Sequence, residues 1–159
     1  MWHVTHRCPA PGLDSPLMEA ASVRFSEWTI AQKGVLAVSV VLTIWNVAGL
    51  LANPDFATGA DATAVQVLGV DFNGWHALSG FLLVGPGFLM CLRPGWALFF
   101  SLYAGAVLVL TAIWALVDTQ PADLLAFPHN EADAVLHFGF AAAYFSVAAL
   151  QLRAERGSA

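Results

Sequence analysis

Charge is what this sequence has least of. Six Lys and Arg and eleven Asp and Glu make up 11% of its 159 residues, where soluble proteins carry about 25%. That is too little to cover a water-facing surface. Six basic residues also cannot form the patches that hold nucleic acid. Cysteine is nearly absent: Cys8 lies in the N-terminal tail and Cys91 near the end of an apolar run. Two such residues exclude a disulfide scaffold and a Cys-rich metal motif, and they disfavour a disulfide-generating oxidoreductase. Also missing are a Gly-rich phosphate loop, a Ser/His/Asp constellation and paired carboxylates within an apolar run, so enzymatic activity is disfavoured.

What is abundant is hydrocarbon, at 58% hydrophobic residues. Four runs contain no Asp, Glu, Lys or Arg: about 34–52, 74–92, 95–117 and 134–152. Each reaches about 28 to 35 Å as a helix, matching a bilayer core. The expected fold is therefore all-α, with four transmembrane helices forming one membrane domain over 34–152. Residues 1–33 and 153–159 are expected as tails, with 1–17, rich in Pro and unlike a cleaved signal, disordered and dispensable.

Arg7, Arg24 and Lys33 precede the first run, Arg93 follows the second, and Arg153 and Arg156 follow the fourth. Four crossings put all of them on one side, predicted to be cytoplasmic. The two intervening loops, 53–73 and 118–133, carry Asp55, Asp61, Asp71, Asp118, Asp123, Glu131 and Asp133 and no basic residue. The location expected is the bacterial inner membrane, with the lipid bilayer as principal partner, a membrane protein or a second copy as further candidates, and no nucleic acid.

The outer loops resemble one another where they enter the next helix. Val67–His76 runs apolar to Asn73 and then His76; Leu124–His137 runs apolar to Asn130 and Asp133 and then His137. Two such halves predict two parallel helix-pair repeats about an axis along the membrane normal. The intact Asn73-x-x-His76-x-x-x-Gly80 and the variant Asn130-x-x-Asp133-x-x-Leu136-His137 carry a resemblance to a known family. The chain resembles the bacterial domain-of-unknown-function family of small four-helix membrane proteins whose second and fourth helices open with Asn-x-x-His or Asp-x-x-x-His followed by Gly. Ala134 and Ala141 depart from that pattern. The resemblance spans about 33–152; it implies the architecture and no activity.

Asn73 and Asp133 are read as helix N-caps, with His76 and His137 on the same faces three and four residues on. Asn73, His76, Asp133 and His137 form a candidate polar cluster or ligand site. One reading makes the histidines structural, each bridging helices by a hydrogen bond. A second makes them ligands of a haem or a divalent metal, with a carboxylate or amide fixing the ring tautomer, and a third makes them proton sensors. His129 is read as a solvated loop residue, with a weak cation site shared with Asp123, Glu131 and Asp133 as the alternative, and His3 and His6 in the tail as uninformative.

Gly85-Pro86-Gly87 predicts a kink in the second helix, which also raises a small transporter as a lesser alternative. Ser101-x-x-x-Gly105 and Gly139-x-x-x-Ala143 are candidate close-packing motifs. Trp28, Trp75, Trp96 and Trp114 are expected at the interfaces. The apolar loop residues, among them Val70, Phe72 and Phe127, are expected to cap the bundle. Taken together, the residues favour a non-catalytic structural or accessory membrane module needing no cofactor, with a redox, haem or metal protein using His76 and His137 as the alternative.

Overall fold

The structure is a computed structural model that describes residues 25–117 and 126–158. The expectations for residues 1–17, Cys8, His3, His6 and the stretch 118–125 lie outside the described residues. Four helices make up most of the chain: α1 (Ile30–Ala52), α2 (Gly74–Met90), α3 (Pro94–Ala115) and α4 (Glu131–Gly157). α1, α3 and α4 are long and apolar enough to cross a membrane. α2 has 17 residues, about 25 Å at 1.5 Å per residue, the short end of the spanning range.

Local chemistry sets the boundaries more finely than hydropathy does. α1 begins at Ile30, four residues before its charge-free run, because Thr29 caps it and Gln32 returns a bond to the Thr29 amide in a capping box. α3 begins at Pro94, whose missing N–H belongs at a first turn. α4 continues to Gly157, beyond the apolar run, since Arg153, Glu155 and Arg156 are good helix formers outside a hydrophobic slab. Gln151 is buried there; its Oε1 accepts from the Ala31 amide at 3.1 Å and its Nε2 donates to Glu155 at 2.8 Å. The first bond joins the start of α1 to the end of α4, and the second, within α4, holds the Gln151 amide.

The bundle is small inside and large outside, as helix association in lipid favours. Ala31, Ala97, Ala104, Ala141 and Ala148 are buried, whereas Leu51, Leu82, Leu89, Leu110 and Val135 are largely exposed. Those exposed chains present the apolar surface that a bilayer covers. Centrally, the Ser39 and Tyr144 hydroxyls lie 3.2 Å apart, and Phe100 meets the Tyr144 ring edge-on at 5.9 Å. α2 runs as helix through Pro86. A Cβ at Gly87 would stand 2.4 Å from Ser39 Oγ and 2.8 Å from Phe100, so this glycine serves a close helix crossing, while Gly85 faces open space. Of the two small-residue motifs, Gly105 packs on Phe145 but Gly139 meets nothing within 4 Å among the described residues. The Gly139 expectation is not met among the described residues, where its face of α4 has no neighbour.

The loop between α1 and α2 adds an element absent from the all-helical expectation. β1 (Val65–Val67) pairs antiparallel with β2 (Val70–Phe72), Val65 opposite Phe72 and Val67 opposite Val70. Leu68 (φ 52°) and Gly69 (φ 87°) form the tip, the two-residue hairpin geometry that needs positive φ twice. Val70 and Phe72 are buried, so the loop folds over the bundle end. Asp55 knits it: its carboxylate accepts from the Thr63 hydroxyl at 2.6 Å and the Ala57 amide at 2.8 Å. Those bonds, the Thr63 hydroxyl first, hold the Asp55 pKa below that of an ordinary aspartate.

Candidate functional site

The polar residues at the bundle end that carries loop 53–73 are placed by two matching helix starts. Asn73 caps α2 and its Oδ1 accepts from the His76 amide at 2.9 Å; Asn130 caps α4 and its Oδ1 accepts from the Asp133 amide at 2.9 Å. The cap of α4 is therefore Asn130, a correction to the expectation for Asp133. The carboxylate is released from capping because the amide three residues earlier already satisfies the orphan N–H. His76 and Asp133 thus occupy the same third position of their helices, and His137 lies one turn deeper.

Each capping Asn also reaches across. Asn73 Nδ2 donates to the Ala126 carbonyl at 2.7 Å, and Asn130 Nδ2 donates to the Gly69 carbonyl at 2.8 Å. Ala126 lies four residues before Asn130, and Gly69 four before Asn73. Asn73 is committed on both sides to backbone, so it positions the cluster and is not itself a donor into it.

Asp133 is the centre, 1% exposed. His76 Nε2 stands 3.7 Å from its Oδ1, and His137 Nδ1 3.7 Å from its Oδ2. His129 Nδ1 makes a short hydrogen bond to Oδ2. His129 is therefore not a solvated loop residue: its side chain is 8% exposed and its ring centroid is 5.3 Å from His76 and 5.9 Å from His137. The i, i+4 spacing from His129 to Asp133 was the available signal, outweighed by the Pro-His-Asn context of a loop. His76 and His137 come together with centroids 6.1 Å apart.

His76 is held from behind. Its Nδ1–H donates to the Asp71 carbonyl at 2.8 Å, and its ring stacks on Phe72 at 4.3 Å with 15° between planes. A carbonyl oxygen only accepts, so the neutral ring carries its proton on Nδ1 and turns the bare Nε2 lone pair toward Asp133. Asp133 Oδ1 and His137 Nδ1 are buried without a hydrogen-bond partner among the described residues. Asp133 Oδ1 therefore faces His76 Nε2, with no hydrogen-bond donor to it among the described residues. The donor atoms of His76, Asp133 and His137 lie within 4.8 Å of one another. A cavity of about 210 Å³ bounded by all four helices adjoins them.

A family model described as "Domain of unknown function (DUF4383)" matches residues 32–150, three quarters of the chain. Neither the curated proteins nor the solved structures contain a match.

Proposed function

The chain belongs to the DUF4383 family, a domain of unknown function, and with no activity to carry over from that description we propose a role from its own residues. It is a multi-pass membrane protein that binds one divalent first-row transition-metal ion through His76 Nε2, His137 Nδ1 and the Asp133 carboxylate, with His129 orienting that carboxylate. One observation carries this: one oxygen of a buried carboxylate, Asp133 Oδ1, and one imidazole nitrogen beside that carboxylate, His137 Nδ1, have no hydrogen-bond partner among the described residues.

A purely structural cluster would satisfy those atoms, since leaving a buried polar group unpaired costs about 1 to 3 kcal/mol and a charge more. A cation between them removes the conflict. Two imidazoles and a carboxylate suit zinc or ferrous iron. Ligands about 2.0 to 2.2 Å from a tetrahedral ion lie about 3.4 Å apart, so the present separations, up to 4.8 Å, need to contract by about an ångström. The His76–Asp71 bond is the outer-shell contact that fixes a ligand's tautomer. A haem fits less well, because the plane between His76 and His137 would pass through His129 and Asp133.

The same reading places the site at the outer face of the bacterial inner membrane, with both termini cytoplasmic. Lys33, Arg93, Arg153 and Arg156 at the opposite end support that orientation. The reciprocal Asn73 and Asn130 bonds support two helix-pair repeats related by a pseudo-twofold axis.

The test is metal analysis of protein purified in mild detergent, followed by zinc titration of the chelator-treated form. One metal per chain, or stoichiometric zinc uptake, is expected in wild type and absent in His76→Ala and His137→Ala. A wild type that takes up no zinc overturns the proposal.

A further inference from the structure

A tetrahedral ion held by three protein ligands would keep one coordination position open, and the cavity adjoins the His76, Asp133 and His137 cluster. The walls are mostly hydrocarbon: Leu42, Leu83, Val84, Leu108 and Phe140 line it with that cluster, and Asn46, Ser79 and Thr111 are further polar side chains in the lining. From His76 to Val84 is eight residues of helix, about 12 Å. The volume, about 210 Å³, exceeds the roughly 150 Å³ cavity that holds a benzene molecule. A chain of about eight carbons therefore fits. Trp45 lines the same space, and its Nε1 is buried without a partner among the described residues.

Electrostatics selects the head group. A dication with Asp133 and neutral imidazoles carries one net positive charge in a low-dielectric site, which is costly unless paired. The N-termini of α2 and α4, the positive ends of their dipoles, both open at the cluster. An anionic oxygen ligand neutralises the centre, and an apolar tail fills the adjoining space. Resting on the metal reading above, we propose that the cavity binds an aliphatic carboxylate, its carboxylate on the open metal position and its chain between the helices. The bilayer and the outer aqueous phase are both sources of such acids. Esterified lipid has the chain without the free carboxylate.

The test uses zinc-loaded full-length protein in phosphatidylcholine nanodiscs and 8-bromooctanoate, which quenches nearby tryptophans; Trp45 and Trp114 line the cavity. Saturable quenching is expected, at least tenfold weaker in affinity for methyl 8-bromooctanoate, for chelator-treated protein and for Val107→Phe, which fills the space. Zinc uptake by Val107→Phe shows that the variant is folded. Stoichiometric zinc with no saturable quenching, or equal quenching by acid and ester, overturns the carboxylate site and leaves the metal site standing. Failure of zinc uptake by wild type overturns both.

Discussion

Asp133→Asn separates a metal centre from a structural knot by the sign of its effect. The side chain keeps its shape at a site 1% exposed, so packing is unchanged and chemistry decides. Without metal, the substitution removes a buried charge whose Oδ1 has no partner among the described residues. It also puts an amide donor in place of Oδ1, 3.7 Å from His76 Nε2, and keeps an amide oxygen in place of Oδ2 to accept from His129. A metal-free stability equal to wild type or higher by about 1 to 3 kcal/mol is expected. With zinc at one hundred times the wild-type Kd, wild type gains about 2.7 kcal/mol. For a chain of this size that is a rise in Tm of about 5 to 10 °C. Loss of the anionic ligand weakens binding by about a hundredfold, leaving the same zinc concentration near Kd and a gain of about 0.4 kcal/mol, or 1 to 2 °C. Tryptophan-detected thermal unfolding with zinc and with chelator measures all four values. An equal zinc shift in both proteins would refute the reasoning, as would a metal-free variant markedly less stable than wild type.

Asn73→Ala removes a cap and leaves the buried Ala126 carbonyl unbonded, for a loss of about 2 to 3 kcal/mol in unfolding assays; Asn130→Ala, whose cross-bond is exposed, costs nearer 1. Gly80→Ala drives a Cβ to 2.1 Å from Asn46 Oδ1 and is expected to cost about 1 to 3 kcal/mol, whereas Gly139→Ala is neutral or stabilising, as gel-shift or thermal assays will show. Because the folded Asp55 pKa is depressed, the loop ties it makes are intact at neutral pH and lost as pH falls below the ordinary aspartate value of about 3.9. Limited proteolysis of loop 53–73 is therefore expected to accelerate in acid, and Asp55→Ala to show the same cleavage at pH 7. A cysteine at Thr58 is expected to react with an impermeant thiol reagent in intact cells while one at Ser158 stays protected; the reverse pattern inverts the topology.

Helix number and the pairing of His76 with His137 were legible because uncharged runs of bilayer length and a repeated polar element are coarse, additive signals. The finer errors share a cause, which is that one residue type serves several local roles. Asn130 and Asp133 are both capable caps, and only backbone geometry says which amide oxygen reaches the orphan N–H. His129 sits in a sequence typical of a solvated turn, yet the crossing bond from Asn73 to Ala126 pulls that turn inward over the bundle. The hairpin at Val65–Phe72 is three residues per strand, too short for alternation to declare itself, and its tip uses Leu68 where Gly or Asn is usual. The cavity is a property of four surfaces at once and has no signature in any one of them.

The crossed Asn73 and Asn130 bonds make assembly of this end of the bundle a late event in biosynthesis. α1 and α2 emerge from the ribosome first, but the carbonyl that Asn73 needs and the carboxylate that His76 faces belong to residues translated some fifty positions later. The first pair must wait in the membrane with its half-site open until the second pair arrives. Cutting the gene at the Arg93–Pro94 turn should consequently give two fragments that bind no zinc alone and regain binding when expressed together, since every bond joining the halves at that end is non-covalent.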